Sequence, residues 1–181
     1  MSVLVGEFEI SSELPARGRE GPFRALRARR LGVHGFARDA TVYVAQGPGA
    51  AAETALIERA RRAVALSHAG ILRVLATGRA SYDGHEAPYV VYESSEAPPL
   101  SLLAPSAEAV PGAVACAIGA AIADVLDHAH RKGVPHGALD AERVLIGADG
   151  AVTIAEFALE RAGTIAEDLA ALAALLGRLA R

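Results

Sequence analysis

Short apolar runs alternate with polar turns over the first part of the chain, and this pattern predicts β-strands. The predicted strands are Phe8–Ile10, Thr41–Val44, Ile71–Leu75 and Tyr89–Tyr92, with a hairpin turn at Asp83-Gly84 before the last of them. Residues Ala50 to Leu66 have a helical period instead. The apolar face of that helix would consist of Leu56, Ile57, Ala60, Ala63 and Val64.

The second part of the chain contains longer segments in which apolar residues recur with a helical period. Gly112 to Arg131 is predicted as a long helix that ends at Gly133, since glycine favours the backbone conformation that terminates helices. Two strands, Val144–Ile146 and Val152–Phe157, would be joined by a turn at Asp149-Gly150, and a last helix would span Ile165 to Leu179.

This order of elements, with most strands first and the long helices later, predicts the α+β class. We expect one domain of 181 residues, with a sheet-rich part (1–93), a linker rich in Pro, Ser and Ala (94–111) and a helical part (112–181).

Composition narrows the function classes. The net charge is −3, which argues against nucleic-acid binding, because such proteins carry a basic surface. Cys116 is the only cysteine, so an intrachain disulfide is impossible. The N-terminal residues lack the pattern of an export signal, and the apolar run Ala113–Ala123 is too short to span a bilayer. We therefore expect a cytoplasmic protein.

The segment Ala129 to Phe157 reads AHRKGVPHGALDAERVLIGADGAVTIAEF. It resembles the catalytic-loop region of bacterial Ser/Thr protein kinases, in which a helix, the H-R-D loop, a hairpin and the D-F-G motif follow one another. Leu66–Ile71 resembles the exit of the kinase αC helix, and Tyr89–Glu93 resembles the last N-lobe strand, with Tyr92 at the gatekeeper position. The resemblance implies an N-lobe over 1–93, a hinge or linker over 94–111 and a reduced C-lobe over 112–181.

The resemblance also implies that the catalytic residues are replaced. Ala138 stands where the family has its catalytic-base Asp, Asp140 replaces a Lys, and Arg143 replaces the Mg²⁺-binding Asn. Glu156 replaces the metal-binding Asp of D-F-G, and Arg59 stands at the αC glutamate position. These changes imply a protein that is not an enzyme.

Two further kinase features are missing from the sequence. Residues 1–131 contain no lysine for the phosphates, and Leu14–Gly21 stands where the family has its glycine-rich loop but retains only Gly18 and Gly21. We therefore expect no bound cofactor, including ATP.

Three residues of structural importance in the family remain. His136 and Phe157 match two residues of the internal spine, and Asp168 matches the αF aspartate that accepts hydrogen bonds from the catalytic-loop backbone. By this alignment the chain ends after one αF-like helix. The pattern is that of a degenerate kinase, or pseudokinase.

We expect such a chain to bind proteins as a scaffolding or regulatory module of bacterial signalling. The alternative is a nucleotide-binding switch, or a noncanonical nucleotidyl or phosphoryl transferase that uses Asp140 and Glu156 on Mg²⁺. The final helix is apolar nearly all round and predicts a homodimer, to which the Gly112–Arg131 helix would also contribute. The candidate interface residues on the final helix are Leu172, Leu175, Leu176 and Leu179.

The histidines and the arginine clusters are further candidates for binding sites. His128 and His130, two positions apart on a helix, point in different directions and cannot chelate one metal ion together. The arginines at 59, 61 and 62, and those at 24, 27, 29 and 30, form either solvated faces or docking sites for an acidic partner.

Overall fold

A computed structural model describes residues 3–14, 23–31, 37–46, 50–103 and 110–180. The α+β class is confirmed: these ranges contain eight strands and four helices. The chain divides into two compact units. The first contains Met1–Val64 and Val74–Ser94, and the second contains Ala65–Arg73 and Ser95–Arg181. One boundary of this division lies after Ser94, and the segment Ala65–Arg73 belongs to the second unit.

The first unit contains a six-stranded antiparallel sheet with the order β1-β2-β3-β4-β6-β5. The strands are β1 (Val3–Val5), β2 (Phe8–Glu13), β3 (Phe23–Leu31), β4 (Ala37–Ala45), β5 (Val74–Tyr82) and β6 (His85–Glu93). Alternate residues of the strands, among them Phe8, Leu26, Val42 and Val91, form the hydrophobic core of this sheet. The predicted turn between β5 and β6 is confirmed, with positive φ at Asp83 (53°) and Gly84 (82°).

Helix α1 (Ala50–Val64) packs against β5 and β6 in the same unit. It buries Leu56, Ala60 and Ala63, as its period predicts, whereas Val64 is 49% exposed. The predicted strand Ile71–Leu75 begins too early. Ile71 forms one isolated parallel bridge, and the strand begins only at Val74.

The second unit contains α2 (Leu100–Leu103), α3 (Gly112–Arg131), β7 (Val144–Ile146), β8 (Val152–Ile154) and α4 (Ile165–Leu179). Helix α3 has its predicted bounds and ends next to Gly133, whose φ is 68°. Helix α4 also has its predicted bounds and begins with a capping box, in which Thr164 and Glu167 bond each other's backbone N–H. The predicted strand Val152–Phe157 is too long, because Glu156 has a φ of 64° and leaves the extended conformation.

Helices α3 and α4 pack together in the core of this unit. Gly119 of α3 provides the space for Leu176, since a Cβ at residue 119 would lie 2.6 Å from a methyl carbon of that leucine. Leu172, Leu175 and Leu179 are buried by this chain itself. The expectation that these three residues form an intermolecular surface is therefore corrected: they belong to the core, and Leu176 is half-buried.

Helix α3 is also long and apolar enough, by length and composition alone, to cross a membrane. The run Ala113–Ala123 on which the sequence-based expectation rested is only part of it. A core helix of a soluble protein can have the same length and composition. Of the 18-residue apolar stretch of α3, 33% is buried inside the protein. The helix is therefore weak evidence for a membrane span.

Candidate functional site

The loop between α3 and β7 is held by one carboxylate, that of Asp168 in the first turn of α4. Asp168 is 1% exposed and accepts the backbone N–H of His136 at 2.7 Å and that of Gly137 at 2.9 Å. The Nε2 atom of His130, on the last turn of α3, lies 2.7 Å from the same carboxylate. The hydrogen bonds predicted for Asp168 are therefore present, and they join the loop to both long helices.

His136 lies at the centre of this loop and is fully enclosed. Its Nδ1 accepts the N–H of Ala138 at 3.2 Å, so Nε2 carries the proton and donates to the carbonyl of Ala155 at 2.9 Å. Its ring contacts that of Phe157, with 4.7 Å between the ring centroids. Burial lowers the pKa of His136 from 6.5 to about 4. The imidazole is therefore a neutral structural group at pH 7.

Two glycines bring the middle of this loop against the segment before α4. Gly137 has a φ of 84°, and a Cβ there would lie 2.6 Å from the carbonyl oxygen of Arg161. A Cβ on Gly163 would lie 2.2 Å from the Cα of Gly137. Only glycine fits at both positions, because the two backbones touch.

The most concentrated charge in the second unit surrounds Arg143. Its guanidinium lies 2.5 Å from Asp140 Oδ2 and 3.0 Å from Glu156 Oε2, and it also forms an ion pair with Glu160. Arg143 is 8% exposed and Glu156 is 9% exposed. The three carboxylates therefore converge on a buried cation that belongs to the same chain.

The backbone fixes this arrangement on both sides. Asp140 Oδ1 accepts the N–H groups of Glu142 at 3.0 Å and Arg143 at 3.2 Å, so its other oxygen points at the guanidinium. Glu156 and Ala158 both have positive φ, 64° and 62°. Such a conformation is uncommon for residues other than glycine and marks a tightly constrained turn after β8.

The sequence-predicted positions thus fall into two places. Asp140, Arg143 and Glu156 meet in one cluster of the second unit, and Ala138 lies in the same loop without a side chain that can accept a proton. Arg59 lies on α1 in the first unit, where burial lowers the pKa of its guanidinium. Gly18 and Gly21, the remnant of the glycine-rich loop, lie outside the described residues.

The histidines do not assemble into a metal centre within the described ranges of the chain. His68 Nε2 lies 3.1 Å from Asp124, and its Nδ1 accepts the N–H of Gly70. His128 packs its ring on that of His68, with 5.1 Å between centroids, whereas His130 contacts Asp168. These histidines connect α3 to its surroundings.

The arginine patches of the first unit are largely ion-paired. Arg24 pairs with Glu13 and Arg29 with Asp39 across neighbouring strands, and Arg30 pairs with Glu7 in the turn between β1 and β2. On α1, Arg61 pairs with Glu58 three positions earlier. These carboxylates offset the positive charge that would attract an acidic partner.

The sequence did not predict two features of the site, the position of Glu160 and the approach of Gly163 to Gly137. Glu160 follows Glu156 by four residues in a segment without helical period, so nothing in the sequence places it beside Arg143. The approach of Gly163 to Gly137 depends on the position of α4. No protein-family model matches this chain, and no curated protein matches it.

Proposed function

We propose that this chain is a noncatalytic protein-kinase-like module, a pseudokinase, that acts in bacterial cytoplasmic signalling by binding other proteins. The proposal joins the resemblance of Ala129–Phe157 to the kinase catalytic loop with the geometry of the residues in that segment. It assigns no reaction to the chain.

The observation that carries the proposal is the position of the Arg143 guanidinium. In the family that the segment resembles, the residues aligned with Arg143 and Glu156 hold Mg²⁺. Here the carboxylate of Glu156 lies 3.0 Å from the Arg143 guanidinium, and Asp140 lies 2.5 Å from it. A divalent cation would have to approach a buried positive charge and compete for the same oxygens, so these residues do not fit a metal ion.

The absence of a proton acceptor supports the same conclusion. Ala138 stands at the position that the resemblance assigns to the general base, and loss of such a base costs roughly 10²–10⁴-fold in rate. Meanwhile the loop backbone is fully anchored by Asp168 through His136 and Gly137. An anchored loop without a proton acceptor supports the noncatalytic part of the proposal.

Thermal unfolding with and without millimolar ATP·Mg²⁺ tests the proposal. We expect the same melting temperature in both conditions, with Mg²⁺ alone and ADP as controls. A nucleotide at 100 times its Kd would stabilise the folded state by about 2.7 kcal/mol, which raises the melting temperature of a domain of this size by several degrees. Such a rise would contradict the proposal and favour a nucleotide-binding switch or a transferase that uses Asp140 and Glu156.

A further inference from the structure

The surface of α4 that does not enter the core has an unusual composition. We call it the outer face of α4; its exposed residues are Ile165, Ala166, Glu167, Leu169, Ala170, Ala173, Ala174, Gly177 and Arg178. Leu169 is 52% exposed. Between Glu167 near one end and Arg178 near the other, the face carries no charge.

Glu167 and Arg178, the charged residues at the two ends of this face, differ in the contacts that they make within the chain. Glu167 binds Arg161 through Oε1 at 2.7 Å and caps the helix through Oε2. A carboxylate can accept about four hydrogen bonds, so Glu167 retains capacity for another donor. The exposed side chain of Arg178 makes no ion pair within the part of the chain that the structure describes.

We infer that the outer face of α4 pairs with the same face of a second copy of this chain, antiparallel and about a two-fold axis. This inference rests on the proposed function as a binding module and adds its partner. The positions of the charges indicate that the partner is a second copy of the chain in antiparallel orientation. Glu167 and Arg178 lie eleven residues apart, about 16 Å along the helix axis. A parallel pair would set like charges together, whereas an antiparallel pair joins Glu167 of each copy to Arg178 of the other at both ends.

The same axis also places the apolar side chains in register. Residues 167 and 178 are equally distant from a point between Leu172 and Ala173, and so are Leu169 and Leu176. A two-fold axis at that point therefore sets Leu169 of one copy level with Leu176 of the other. This two-fold axis is perpendicular to the plane that contains the two helices. It therefore places the leucine edge of one copy beside the leucine edge of the other, and the charged edge of one copy beside the charged edge of the other.

Small residues occupy the strip between these two edges. Ala166, Ala170, Ala173 and Gly177 are spaced four, three and four residues apart, so they lie in one line on the exposed side of the helix. Without long side chains, this line allows the backbone of a second helix to approach at the short end of the usual 8–10 Å range. The pairing would also cover part of Leu169, which at 52% exposed is the most exposed large apolar residue of α4.

Light scattering on the 181-residue protein at micromolar concentration tests the pairing. We expect twice the monomer mass of 18.6 kDa. Ala170→Glu places a charge in the centre of the line and should return the protein to a monomer, with the dimer Kd raised at least about tenfold. Ala117→Glu, at an exposed alanine of α3, makes the same chemical change two positions before Gly119 and therefore on another side of that helix, and it should leave the dimer intact.

Cysteine cross-linking tests the register, in a background with Cys116→Ala. Two copies of residue 173 would lie about 1.5 Å apart along the helix axis, but two copies of residue 166 would lie about 20 Å apart. We therefore expect Ala173→Cys to form an intermolecular disulfide under oxidation and Ala166→Cys to remain reduced.

Three results would overturn the inference: a wild-type monomer, a dimer that survives Ala170→Glu, or equal cross-linking at the two cysteine positions. If Ala170→Glu did not fold, the cysteine pair would still decide. A monomer would leave the noncatalytic assignment intact, because the nucleotide melting experiment tests that assignment separately.

Discussion

The carboxylate of Asp168 connects the loop between α3 and β7 to both long helices of the second unit. Its oxygens receive two buried backbone N–H groups, and the ring of His130 binds the same carboxylate. A buried donor that loses its acceptor costs about 1–3 kcal/mol. The stability of the loop should therefore depend on this one residue.

Asp168→Ala tests that dependence. We expect the free energy of unfolding in urea to fall by about 1–3 kcal/mol or more, because the N–H groups of His136 and Gly137 lose their acceptor. Asp168→Asn is the matched control. It keeps the shape and one acceptor oxygen, so it should lose less. Wild-type stability in both variants would show that the anchor contributes nothing.

The free energy of unfolding should depend on pH through His136. Burial lowers its pKa from 6.5 to about 4, so the unfolded chain binds a proton more readily than the folded protein between these values. The stabilisation is complete above about pH 6.5 and is lost as the pH falls toward 4, by at most about 1.4 kcal/mol per pH unit. Protonation would also break the hydrogen bond from Ala138 to Nδ1.

NMR of the His136 ring measures this directly. We expect the ring to stay neutral, with the proton on Nε2, from pH 7 down to about 4.5. The His136→Asn variant, which cannot take up a proton, should show a shallower decline of stability in acid. A titration midpoint of His136 near 6.5 would contradict the described burial.

At the scale of elements, the sequence predicted best those elements whose signals are local. Both α3 and α4 have their predicted bounds, because each has a continuous apolar period and, for α3, Gly133 lies within a few residues of the helix end. The turns at Asp83-Gly84 and Asp149-Gly150 were predictable for the same reason.

The wrong or missing elements depend on residues distant in sequence. Ile71 is apolar like a strand residue but forms only one bridge, to Ile154. Strand β3 was not predicted, because Arg27, Arg29 and Arg30 obscure its alternation, and Arg29 and Arg30 pair with carboxylates on other segments. Glu160 was missed in the charge cluster because only the folded turn after β8 brings it to Arg143.

The contact between the two loop segments of the second unit gives a prediction at this scale. Gly163→Ala should destabilise the protein by about 1–3 kcal/mol, because the new methyl group would lie 2.2 Å from the Cα of Gly137, and backbone cannot move aside cheaply. Gly112→Ala, at the first residue of α3 with nothing within 4 Å of the added Cβ, is the control. It should be neutral or slightly stabilising. Equal unfolding midpoints for the two variants would show that the loops do not touch.

At the scale of the whole molecule, we propose that the second unit keeps the structural contacts of a kinase catalytic loop without the charged groups that phosphoryl transfer needs. In this unit Asp168 accepts the N–H groups of His136 and Gly137, while the guanidinium of Arg143 pairs with the carboxylates of Asp140 and Glu156. The resemblance to kinases implied which catalytic residues are replaced. It did not predict that the replacements bind one another, because that depends on the turn after β8. Our account is that the chain binds partners and catalyses no phosphoryl transfer.

The most direct test of this account is a single-turnover assay with protein in excess over γ-labelled ATP·Mg²⁺. We predict that neither inorganic phosphate nor labelled protein forms above the rate without protein over several hours. A contaminating kinase is controlled by Glu156→Gln, which leaves any contaminant unchanged. Turnover in the wild type that disappears in Glu156→Gln would contradict the account, because it would show that the carboxylate beside Arg143 serves a reaction.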